Sequence, residues 1–105
     1  MIDVRAHLAR KPLLFDGGMG TYYKAKPGTE CEQGNLLDSA GVRKVHREYL
    51  AAGAEAIKTN TFGLPRMAAA RQPDWQALAR AGWKLAAEAA EELLAAGEAA
   101  GAACA

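Results

Sequence analysis

Only two stretches of this chain read as buried strands, and that shortage limits what it can fold into. Leu13, Leu14 and Phe15 form an apolar run too short for a stable helix, and Asp16 ends it. The stretch "AEAIKTNTF" (54–62) carries the β-prone Ile57, Thr59, Thr61 and Phe62. The spacing elsewhere predicts helices. Residues 3–10 make a short one, capped by Asp3, with Val4 and Leu8 on one face and Pro12 as its stop. Asp38 or Ser39 caps a second, in which Val42, Val45, Tyr49 and Leu50 share a face opposite Arg43, Lys44, Arg47 and Glu48; Gly53 closes it. Pro73 and Asp74 start the longest, with Trp75, Leu78, Gly82, Leu85, Ala86, Ala89 and Leu93 at spacings of three and four. Gly97 ends its strong pattern, and the tail "GAACA" reads as coil or as the first residues of a third buried strand.

Helix, strand, helix, strand, helix is the alternation of βαβ units, so the expected class is α/β with a parallel sheet. Two strands leave the sheet edges open and the helix stripes partly uncovered. The chain therefore reads as the beginning of a larger βα-repeat barrel of about 250 residues.

Between the first run and the second helix, residues 17–38 read as a long loop, a length that in a compact domain is often functional. It opens on "DGGMG". Gly17, Gly18 and Gly20 permit positive φ and close approach to the backbone. A strand end that presents an acid and a glycine turn can build a site. It can equally be an ordinary turn beside a solvated Asp16. The glycine spacing matches neither GxGxxG nor GxxxxGK[ST], which argues against a phosphate loop.

The balance of 13 basic and 12 acidic residues gives no electrostatic case for nucleic acid or an anionic membrane. Cys31 and Cys104 form no CxxC or Cys/His cluster, so no zinc finger or ribbon can be read, and a disulfide between them has no support. The charged N-terminus is not a signal peptide, and no stretch approaches the ~18 apolar residues of a membrane span. A soluble cytoplasmic protein is the expectation.

Three motifs, in order, carry a family likeness: "FDGGMGT" (15–21), "CEQGN" (31–35) and "AGAEAIKTNTFG" (53–63). Together they resemble the N-terminal part of the homocysteine S-methyltransferase domain, found in methionine synthases and betaine–homocysteine methyltransferases. The likeness covers residues 13–70 well, and the long helix and tail in pattern only. It implies that residues 1–105 are the N-terminal part of a homocysteine-binding domain, folded as about two βα units of a (β/α)₈ TIM barrel plus an N-terminal helix. The implied reaction moves a methyl group to homocysteine sulfur, giving methionine. It also implies zinc, which would bind the sulfur and favour its thiolate, with methylfolate or cobalamin acting through other domains.

In such barrels the site lies at the C-terminal ends of the strands. The resemblance then places Asp16, Gly17, Gly18 and Thr59 at the amino-acid end of homocysteine. An anionic Asp16 suits an ammonium group, glycine N–H groups suit a carboxylate, and Thr59 adds a hydroxyl. Thr59 can also be a plain β-former satisfying a neighbouring backbone group. His46, on a helix, reads as a packing or surface residue. The family's zinc thiolates come from later strands, so neither Cys31 nor Cys104 is assigned as a ligand, and these residues alone are expected to give no turnover. Gly34 and Pro65 depart from the family pattern, and Gly34 is expected to loosen its turn. The competing reading is a stand-alone, non-catalytic α/β module that binds a small amino acid or anion in the same glycine loop.

Overall fold

The computed structural model describes residues 3–104, with side chains to residue 96. Helices α1 (Val4–Leu8), α2 (Met19–Tyr22), α3 (Gly34–Leu37), α4 (Ser39–Ala51), α5 (Leu64–Ala69) and α6 (Trp75–Cys104) account for most of it, with a 3₁₀ turn at Cys31–Gln33. The tail expected as coil or a third strand continues α6 to Cys104. The expected loop 17–38 is broken by α2, the 3₁₀ turn and α3.

Helices α4 and α6 form the main interface. Asp38 caps α4 by accepting from Gly41 N at 3.2 Å, which satisfies one of the free N–H groups of the first turn. Val42 and Val45 then meet Leu85 of α6 and the ring of Tyr23, all buried. Burial of each such aliphatic side chain contributes about 1.5–3 kcal/mol before the entropy of ordering is deducted. Arg43 and Arg47, one turn apart, reach Glu88 and Glu92, also one turn apart, at 3.0 and 2.7 Å. These pairs span the rim of the interface in register with one another. A second core joins Leu64 and Met67 of α5 to Leu78 of α6.

Gly34 does not loosen its turn. A Cβ there would stand 2.6 Å from the Tyr23 hydroxyl, so the glycine is what admits that ring. The Tyr23 hydroxyl donates to Asp38 at 3.0 Å. Burial and that carboxylate push the phenol up to about 12.

Among the described residues the expected sheet is absent, and with it the two βα units of a TIM barrel. Among the described residues one parallel bridge, Phe15 to Ala56, is all that remains of the two predicted strands. Its bonds are Ala56 N to Leu14 O (3.2 Å) and Asp16 N to Ala56 O (3.0 Å). Carboxylates intercept the ladder on both sides. Leu14 N donates to Glu55 Oε1 at 3.1 Å, and Lys58 N donates to Asp16 Oδ2 at 3.2 Å, where a further rung would use a backbone carbonyl. Beyond that point Thr61 N bonds Thr59 O at 2.9 Å and the chain turns. Leu14 and Phe15 stay more than half exposed, so no layer covers the faces of this pair. Two short runs without a third strand or a covering helix cannot hold a parallel sheet.

The segments are held instead by a buried amide pair. Asn35 and Asn60 are 2% and 3% exposed, a burial that side-chain amides tolerate only when bonded. Asn60 Nδ2 donates to Asn35 Oδ1 and to Cys31 O, both at 2.9 Å. Asn35 Nδ2 donates to Asn60 O at 2.8 Å and to Leu78 O, inside α6, at 3.1 Å. Gly82 makes this approach possible, because a Cβ there would lie 2.7 Å from Asn35 Nδ2.

His46 is a packing residue. It is fully buried on α4, and neither ring nitrogen has a partner among the described residues. Burial lowers its pKa below the ordinary 6.5, while the negative charge of Asp16 pulls the other way. The unfolded chain therefore takes up the proton first as pH falls. The stabilisation is full above the ordinary value and is lost below it. Urea unfolding should show the wild type losing stability from about pH 7.5 to about pH 5.5, and His46→Leu losing less over the same interval. Equal losses in the two proteins would contradict this assignment.

Candidate functional site

A cavity of about 620 Å³ opens between three segments: Asp16–Gly20, Cys31–Glu32 and Lys58–Phe62. Asp16, Gly17, Gly18 and Thr59, the residues singled out from the sequence, all line it. The bridge at Phe15 and Ala56 sets Asp16 beside Lys58, and the amide pair sets Asn60 against Cys31. Each wall is therefore tied to another by a directional bond.

The glycine loop is held from α4. Tyr49 donates its hydroxyl to Gly18 O at 2.9 Å, and its ring packs on Gly17. The Tyr22 ring leans on Tyr49 with centroids 5.4 Å apart, and its own hydroxyl bonds Glu48. Close approach, rather than positive φ, is what Gly17 and Gly18 supply; among the described residues the glycines with positive φ are Gly28 and Gly53. The N–H groups of Gly17 and Gly18 donate to no group among the described residues. They remain able to donate.

The acids have different commitments. Glu32 is buried and accepts from Gly63 N at 3.0 Å, which caps α5. Asp16 is held by Lys58: Nζ lies 2.7 Å from Oδ1 and 3.0 Å from the Asp16 carbonyl oxygen. The Asp16 side chain is 4% exposed and that of Lys58 59%, so the ammonium is the half of the pair that solvent meets. The Thr59 hydroxyl shares a hydrogen bond with Thr61 Oγ1 at 2.7 Å. Either hydroxyl can be the donor in that bond, and in both arrangements Thr59 keeps an acceptor lone pair for a further contact.

Sequence reading missed Lys58, Asn60 and the Cys31–Glu32 wall. The available signal was "KTNT" itself. A lysine next to a threonine already assigned to the site pairs naturally with the acid at the end of the other run.

A model of the homocysteine S-methyltransferase family matches residues 13–104, which takes in the whole of α6. No solved structure matches the chain. The zinc implied by the resemblance does not fit the described residues. No three His, Cys, Asp or Glu side chains gather among them. Burial pushes the Cys31 thiol up, and its Sγ donates to Asn60 Oδ1 at 3.4 Å, so it is held as a thiol rather than as a ligand thiolate. The side chain of Cys104 lies outside the described residues. No helix among the described residues is long and apolar enough to cross a membrane.

The two ends of the glycine loop should respond differently to alanine. At Gly17 a Cβ would lie 2.8 Å from the Tyr49 hydroxyl, whereas at Gly20 it would meet nothing within 4 Å. In urea unfolding, Gly17→Ala should cost about 1–3 kcal/mol. Gly20→Ala, within α2, should be neutral or gain up to about 1 kcal/mol. Equal effects at both positions would contradict the role given to Tyr49.

Proposed function

The chain belongs to the homocysteine S-methyltransferase family, and from that premise we propose that its cavity holds the amino-acid end of homocysteine for methyl transfer to the sulfur. Asp16 accepts the α-ammonium, the N–H groups of Gly17 and Gly18 take the α-carboxylate, and the Thr59 hydroxyl gives one further contact. The observation that carries the reading is the meeting of these residues. Asp16, Gly17 and Gly18 are far from Thr59 in sequence, yet all four border one cavity with the glycine N–H groups unused.

The chemistry is matched to a small zwitterion. Each carboxylate oxygen of Asp16 has a second lone pair beyond the bond it makes to Lys58. A charge-assisted bond from a ligand ammonium is therefore open to it, at roughly twice the strength of a neutral one. Removal of the sulfur proton is not assigned to any residue described here: the Cys31 thiol is held on Asn60, and Glu32 is spent on the cap of α5. What these residues do in the reaction is hold and orient one end of the substrate, and positioned binding of this kind lowers the barrier to transfer.

Titration with L-homocysteine, followed by amide NMR shifts, tests this. The reading predicts saturable shifts at Gly17, Gly18 and Thr59, and a Kd at least roughly tenfold weaker in Asp16→Asn. Shifts confined to other parts of the chain, or no shifts at millimolar ligand, would contradict it.

A further inference from the structure

Lys58 is tied to the acid of the site, and the reading above gives it no part. Its ammonium has three protons and two visible acceptors, Asp16 Oδ1 at 2.7 Å and the Asp16 carbonyl at 3.0 Å. Its Nζ lies over the ring of Phe15, 5.7 Å from the ring centroid. Lys58 also lines the cavity. A surface lysine paired with a surface acid is common and contributes little. This pair differs because its acid is 4% exposed and its lysine 59%, and because both face the same cavity.

We propose that Lys58 is a specificity residue that binds the substrate's α-carboxylate alongside the Gly17 and Gly18 N–H groups, so that the Lys58–Asp16 pair reads the amino acid as a zwitterion. The inference rests on the homocysteine reading. Ammonium and carboxylate on one α-carbon lie about as far apart as the two heads of a salt bridge. An α-amino acid can therefore lie antiparallel to the pair, its carboxylate on the third Lys58 proton and its ammonium on the spare lone pairs of Asp16. Each charge then meets its opposite, and neither protein group has to leave its partner. The glycine N–H groups offer only partial charges, whereas Lys58 supplies a full one. A ligand that carries the ammonium but no carboxylate would bring a third charge to a pair already neutral. It would either compete with Lys58 for Asp16 or stay out.

The test compares L-homocysteine with 3-aminopropane-1-thiol, which keeps thiol and ammonium and lacks the carboxylate. Dissociation constants are measured on the full chain by NMR titration. The wild type should prefer homocysteine at least roughly tenfold. Lys58→Met should lose that preference by weakening homocysteine while the aminothiol, freed of a competitor for Asp16, binds as well or better. Lys58→Arg should restore it. A loss of fold in Lys58→Met would weaken both ligands together, so opposite movements separate recognition from structure. The wild-type comparison needs no variant: equal affinity for the two ligands overturns the inference. So does an unchanged preference in Lys58→Met, and in both cases homocysteine binding itself stands. If the wild type binds neither ligand, the homocysteine reading fails and takes this inference with it.

Discussion

The buried pair Asn35–Asn60 is the contact on which the arrangement of the other parts depends. It joins the turn after Cys31 to the segment that carries Thr59, and through Leu78 O it seats both on α6. Four hydrogen bonds satisfy both Nδ2 groups and one amide oxygen, and the Cys31 thiol satisfies the other. A network like this is stabilising only when complete; an orphaned buried amide costs about 1–3 kcal/mol. Apolar side chains could fill the same space. They could not fix which backbone carbonyl faces which segment.

With the segments fixed, two carboxylates decide how far the strand pairing runs. Glu55 takes the N–H of Leu14 and Asp16 takes that of Lys58, so the bridge stops after one repeat. The same Asp16 that ends the ladder also lines the cavity. A longer ladder would bond the backbone of Lys58 directly to that of Asp16 and leave the carboxylate without its N–H. The short pairing and the site are thus two results of one side chain.

Much of the helical framework was legible. Asp3 and Asp38 cap the helices as read, and the α6 stripe buries Leu78, Gly82, Leu85, Ala86 and Ala89 but leaves Trp75 half-buried and Leu93 exposed. Periodicity reports which face is buried, and it did so there. Both β-prone runs were read from side-chain type, and side-chain type cannot show whether a third strand or a covering layer exists. That is where the α/β expectation failed, with Leu14, Phe15 and Phe62 left exposed. The residues around the cavity were legible where a motif marked them, as at Asp16 and Thr59. Asn35 and Asn60 carry no periodic signal, because their pairing joins the single-turn helix α3 to an irregular segment far along the chain. Gly82 read as one more small residue in a stripe, although its function is to let a side chain through.

Gly82 therefore offers the most direct measurement. In a helix interior, alanine for glycine gains about 1 kcal/mol by propensity alone. Here the added Cβ would lie 2.7 Å from Asn35 Nδ2, 2.9 Å from Thr61 Cγ2 and 3.2 Å from Asn60 O, a backbone atom. Urea unfolding of Gly82→Ala should show a loss of about 1–3 kcal/mol, against the propensity. An unchanged or increased stability would mean that the amide pair is not seated on α6 as described, and that something else holds the walls of the cavity together.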